Sequence, residues 1–163
     1  MKIRNTKLED LDKVLKIYEH ARKFMKLNGN PNQWKDSEPS LYLIINDIKN
    51  NNSYIIEKDN NIVGVFSFII GKDDSYNYIK DGKWLNDEEY GTIHRIASNG
   101  SVKGIFESCL KYCESIIDNI RIDTHHNNFI MQYLIEKNGF TKCGIIFVRD
   151  GSPRIAYQRK VDK

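Results

Sequence analysis

The sequence predicts a mixed α/β (α+β) domain, a central sheet of about seven strands, part parallel and part antiparallel, flanked by about four helices. Three observations predict it. Short apolar runs of strand length alternate with amphipathic helical patterns. Tight-turn sequences join two pairs of runs into antiparallel hairpins. One strand–helix–strand passage, residues 92–123, implies a parallel pair, because parallel neighbours need a crossover. The 163 residues suit one domain, 1–163, and a balance of 40% hydrophobic and 29% charged side chains can bury a core without metal or disulfide staples.

The elements follow in order. Residues 2–6 are a short first strand. Leu8, Leu11, Val14, Leu15, Tyr18, Ala21 and Met25 recur at three- and four-residue spacings with charges between them, the stripe of an amphipathic helix. Thr6 and Glu9 have capping-box spacing at its start, and Asn28-Gly29-Asn30-Pro31 ends it. A loop carrying Gln33 and Trp34 leads to a helix over 40–49 with Leu41, Ile44, Ile45 and Ile48, stopped by Asn50-Asn51-Asn52. Strands 53–58 and 62–71 flank the turn sequence Asp59-Asn60-Asn61. The polar and aromatic stretch 72–89, with Tyr76, Tyr78 and Trp84, reads as an excursion whose rings pack on the body. Residues 90–97 form a strand, 104–117 an amphipathic helix and 119–123 a strand. Helix 129–138 is capped by Asn127 or Asn128 and terminated by Gly139, and strands 141–148 and 154–159 flank Asp150-Gly151-Ser152-Pro153.

Composition excludes several classes. The longest mostly apolar run, residues 62–70, is far short of the roughly 20 residues of a membrane-spanning helix, and the first residues lack a secretory pattern. A net charge of +3 is spread along the chain with no basic run, so neither nucleic acid nor membrane is expected as a partner. Cys109, Cys113 and Cys143 are an odd set without metal-ligand spacing, which implies a reducing cytoplasmic setting and no metal. Cys109 and Cys113 share a helix face with Ile105, Phe106 and Ile116, so they read as buried thiols and not nucleophiles.

Chemistry concentrates where the central strand runs into a helix, at Ile96-Ala97-Ser98-Asn99-Gly100-Ser101-Val102-Lys103-Gly104-Ile105. A glycine-containing strand-to-helix turn converges free backbone N–H groups on the positive end of a helix dipole and admits an anion closely, and Lys103 adds a point charge. Capping by Ser98, Asn99 or Ser101 accounts for the same residues without a ligand, and neither phosphate-loop nor dinucleotide spacing is matched.

Downstream, Asn128, Met131, Leu134, Gly139 and Phe140 set a helix between two strands. Together with the upstream turn and the full element order, this pattern resembles the GNAT family of N-acetyltransferases. The resemblance implies the acyl-CoA N-acyltransferase fold, acetyl-CoA as cosubstrate, and direct transfer of acetyl to a primary amine. In the family the turn before the third main helix holds the coenzyme A pyrophosphate, which falls here on residues 99–105. Gly104 matches the first family glycine, while Ser101 and Phe106 stand at the outer motif positions. A backbone donor for the acetyl oxygen falls at Ile96, Ala97 and Ser98. The position of the family's tyrosine acid is Ile135; Tyr133, two residues earlier, lies about 200° around the helix. Asn128 is both a cofactor or catalytic candidate and an N-cap candidate.

The amine must lose a proton before it attacks, so a base near the thioester is expected. His94 in the central strand, with Glu88 and Glu89 just before that strand, and His125 at the end of the next are the candidates; adjacent His125 and His126 are expected to face different ways. Trp34, Tyr78, Trp84 and Glu89 are the expected acceptor contacts, because aromatic rings can hold a cationic amine. The partners expected are acetyl-CoA and an amine, in a monomer or homodimer. The alternative is a non-catalytic acyl-CoA-binding module of the same fold.

Overall fold

The computed structural model describes residues 1–162. The chain runs β1 (Lys2–Asn5), α1 (Leu11–Leu27), α2 (Leu41–Lys49), β2 (Ser53–Lys58), β3 (Asn61–Ile70), β4 (Gly91–Ser98), α3 (Ile105–Ile116), β5 (Asn119–Thr124), α4 (Phe129–Lys137), β6 (Thr141–Phe147) and β7 (Pro153–Lys160). The strands make one seven-stranded sheet in the order β1-β2-β3-β4-β5-β7-β6. Only β4 and β5 are parallel; every other neighbouring pair is antiparallel. Among the described residues no helix is long and apolar enough to cross a membrane.

Strand alternation sorts the core. Ile120 and Ile122 of β5 point to one face, where they join Phe106, Cys109, Leu110 and Cys113 of α3. Both thiols are fully buried, and burial pushes Cys109 far up. Ile116 is largely exposed, so the buried face of α3 stops one turn before it. The other face is covered by Val14, Ile17, Tyr18 and Ala21 of α1 and Ile44 and Ile48 of α2. Ser40 starts α2 by accepting from the Leu43 N–H at 3.2 Å.

The start of α1 differs from the expected Thr6–Glu9 capping box. A 3-10 turn, Leu8–Asp10, precedes the helix, and Asp10 accepts from the Lys7 N–H at 2.8 Å. Arg4 of β1 holds the same Asp10 carboxylate at 2.9 Å and so fixes it beside the turn. Thr6 is buried instead, its hydroxyl 2.8 Å from Ser53 Oγ.

The excursion between β3 and β4 packs on the sheet end as expected of its aromatics. Lys80 bridges to Ile145 of β6, and Trp84 and Tyr90 sandwich the Arg121 guanidinium at 4.0 and 3.9 Å. Fully buried Gln158 holds the segment, accepting from the Leu85 N–H at 2.8 Å and donating to Asn119 Oδ1 at 2.8 Å. Gln158→Leu leaves the Leu85 N–H without its partner and strips Asn119 Oδ1 of its 2.8 Å donor, and an unsatisfied buried polar group costs about 1–3 kcal/mol. Urea unfolding should show a loss of that size, whereas a change under about 0.5 kcal/mol, ordinary for surface sites, would mean the excursion is held elsewhere.

Candidate functional site

The two parallel strands touch only briefly. Gly91 pairs with Ile120 and Thr92 with Arg121, and beyond them β4 and β5 part. The departure coincides with a bulge in β4: Val65 faces Ala97 and Ser67 faces His94, so three steps on β4 span two on β3. Arg95 takes up the extra length in a left-handed conformation, φ +52°. Its guanidinium grips Asp47 of α2 through two 2.9 Å bonds, and its carbonyl accepts from the Tyr18 hydroxyl at 2.9 Å. Asp47 is itself buried and also accepts from Ser67 Oγ at 2.6 Å. Past the bulge, the Asn99 N–H donates to Val63 O of β3. Strand alternation therefore turns the Ile96 and Ser98 N–H groups to the opposite side, toward the gap.

A cleft of about 820 Å³ occupies this gap. Ile96, Ile122, Thr124, Asn128 and Met131 line it, together with His94, Asp73, Tyr76, Asp123 and Arg154. Trp34 and Gln33 of the α1–α2 loop also line it. Gln33 Oε1 accepts from Asn128 Nδ2 at 2.9 Å, and Gln33 O accepts from the Arg154 guanidinium at 3.3 Å. Trp34 stands edge-on to Tyr18, centroids 5.6 Å apart. Asn128 does a second job, capping α4 through its Oδ1 to the Met131 N–H at 3.1 Å.

The titratable groups of the cleft sort by partner. His94 Nε2 lies 3.1 Å from Asp73 Oδ2. Burial pushes the Asp73 carboxyl up, but the His94 contact and the Ser75 bonds outweigh it and hold the group below its ordinary range. Asp123 goes the other way: burial raises it, against a 2.6 Å bond from the Tyr76 hydroxyl that favours the charged form.

The β4–α3 turn is built by its own side chains. Asn99 Oδ1 accepts from the Ser101 N–H and Oγ, and Ser98 Oγ from the Gly100 N–H. None of the three caps α3, which starts at Gly104 with φ +83° and no side-chain cap. Its first-turn N–H groups are thus left without that partner. A second cleft of about 620 Å³ beside the turn is lined by Lys13, Lys16 and Lys58 with Asn99, Ser101 and Val102, whereas Lys103 is exposed outside it. Among the described residues no group of three or more His, Cys, Asp and Glu is placed to hold a metal.

Of the residues singled out in the sequence, the structure brings Trp34, His94, Ile96 and Asn128 to one cleft. Tyr78 is exposed and stacks on Phe147, Trp84 covers Arg121, and Glu89 is exposed; none of the three lines the cleft. His125 and His126 do not face different ways: their rings stack with centroids 4.2 Å apart. The strand ends at Thr124, so alternation no longer governs them. His125 Nδ1 accepts from the Asn127 N–H at 3.0 Å, and burial, helped by Arg154 and His126, pushes its pKa down to about 4. Tyr133 is exposed and Ile135 fully buried. Sequence reasoning missed Asp47, Asp73, Arg95, Asp123 and Arg154. Asp47 left a signal, since it shares the buried face of α2 with Ile44 and Ile48.

Solved structures resemble this one over its full length. An acetyltransferase of the GNAT family from Streptococcus agalactiae is 30% identical, with 99% of this chain and 96% of that chain covered, at a TM-score of 0.90. A Staphylococcus aureus protein with a provisional acetyltransferase name is 25% identical, with 99% and 100% covered, at 0.74. A Salmonella typhimurium protein solved with its cofactor acetyl-CoA shares the fold at 15% identity, with 100% and 95% covered and a TM-score of 0.65. No protein-family model and no curated protein sequence matches the chain.

The left-handed Arg95 gives a direct test of the bulge. A backbone held in that region costs a non-glycine residue on the order of 1–3 kcal/mol, and a β-branched one most. Arg95→Gly and Arg95→Val both remove the Asp47 pair, but only glycine tolerates φ +52° freely. Urea unfolding should place Arg95→Val about 1–3 kcal/mol below Arg95→Gly; equal stabilities would mean that the bulge relaxes once the ion pair is gone.

Proposed function

Because the chain belongs to the GNAT family of acetyltransferases, we propose that it transfers the acetyl group of acetyl-CoA to a primary amine by direct attack in a ternary complex. The observation that carries this reading is the parting of β4 from β5 at a clamped bulge, which opens a cleft on the side to which strand alternation turns the Ile96 and Ser98 N–H groups. Bound there, acetyl-CoA supplies an activated thioester carbonyl. The residues present fit it: the β4–α3 turn offers uncapped helix N–H groups at Gly104, where a Cβ would meet nothing closer than 3.7 Å, and three lysines line the neighbouring cleft.

The chain's own groups then divide the work. Ile96 and Ser98 N–H donate to the thioester oxygen as charge grows on it. His94, oriented by Asp73, takes the proton from the ammonium so that the nitrogen lone pair can form the C–N bond. The C–S bond breaks, the attacking nitrogen gives up its second proton to water, and the coenzyme A thiolate takes one back from that water, since Tyr133 faces solvent and Ile135 has no proton to give. Trp34 lines the approach of the amine. His125 is left out, because its ring is held off the cleft against His126.

Thiol release from acetyl-CoA over a panel of amines tests the reading. Release should depend on the amine and fall about 10²-fold or more in His94→Gln, the usual size of general-base catalysis. Coenzyme A at one hundred times its dissociation constant should stabilise both proteins by about 2.7 kcal/mol. Stabilisation without release on any amine would favour a non-catalytic acyl-CoA-binding module, and no stabilisation at millimolar coenzyme A would remove the cofactor assignment.

A further inference from the structure

A buried guanidinium almost always has a carboxylate beside it. Arg154 breaks that rule. Its side chain belongs to a residue only 8% exposed, yet among the described residues it forms no ion pair. Its bonds go to neutral oxygens: Ser152 Oγ at 3.1 Å, Pro153 O at 2.9 Å and Gln33 O at 3.3 Å. A guanidinium has five N–H bonds, so two remain unused within the protein.

The acids nearest in charge are engaged elsewhere. Asp123 takes the Tyr76 hydroxyl, and Asp150 takes the Ser152 N–H and lies 3.9 Å from Lys35. Burial pulls the Arg154 guanidinium below its ordinary range, and the fields of Asp123 and Asp150 only partly oppose this. An anion arriving in the cleft would relieve that penalty.

Position matters as much as charge. Arg154 lines the same cleft as His94 and Asp123. Asp123 faces Ala156 in the β5–β7 ladder, and Arg154 lies two residues along β7 on the same side. β5 lies between β4 and β7, so Arg154 stands across the opened gap from the proposed base. A planar guanidinium offers paired N–H donors that match the two oxygens of a carboxylate.

We infer that Arg154 recognises a carboxylate on the acceptor, so that the amine acetylated here is one that also carries a free carboxyl group, an amino acid or short peptide. This rests on the cleft being the acceptor site of an acetyl transfer.

Calorimetry on protein loaded with coenzyme A reads the inference without turnover. The probes are amino acids and short peptides, each as the free acid and as the C-terminal amide. Wild type should bind the acid of at least one pair tenfold or more tighter than the amide. Arg154→Gln should bring that ratio to twofold or less, and Arg154→Lys should keep part of it. A loop loosened by losing the Gln33 bond would weaken acid and amide alike and leave the ratio unchanged. Equal binding of acid and amide in wild type for every pair, detectable or not, overturns the inference, as does a ratio retained in Arg154→Gln. Acid-dependent binding with no thiol release would sink the transfer reaction while leaving Arg154 as the carboxylate anchor.

Discussion

The site depends on one constraint: β4 must leave β5 after two residue pairs and still stay in register with β3. A regular strand cannot do both, and the extra residue at Arg95 reconciles them at the cost of a left-handed backbone. The strain, on the order of 1–3 kcal/mol, is outweighed by what holds it. Hydrogen bonds to charged groups contribute about 1.5–3 kcal/mol each, and Arg95 makes two with Asp47. Tyr18 fixes the carbonyl of the same residue. The two helices that cover this face thus each supply one half of the clamp, α1 through Tyr18 and α2 through Asp47.

The same geometry separates charges along the cleft. His94 and Asp73 gather where β4 bends away, Asp123 sits on the next strand under Tyr76, and Arg154 stands one strand further. The lysines lie in a different cleft, beside the β4–α3 turn. Within the larger cleft Gln33 ties α4 to β7, since its side chain bonds Asn128 and its carbonyl bonds Arg154.

Hydrophobic periodicity made the fold legible. Seven strands, four helices and the single parallel pair follow from apolar spacing and turn residues, because these record which face of each element is buried. Local polar geometry was not legible in the same way. Thr6 and Glu9 had the spacing of a cap, but it is Asp10, held by Arg4, that accepts the Lys7 N–H. His125 and His126 lie beyond the last residue of β5, so strand alternation did not reach them. His94 could be singled out as a strand histidine, yet its partner Asp73 comes from the excursion, and nothing in the sequence joins them. Arg95 carries no signal at all, since its conformation is imposed by register.

A crystal structure with acetyl-CoA, or a slow thioether analogue that keeps the acetyl carbonyl, tests the central claim most directly. The carbonyl oxygen is expected about 3 Å from the backbone nitrogen of Ile96 or Ser98, in the gap between β4 and β5. A thioester bound away from that gap, with both N–H groups facing water, would contradict it.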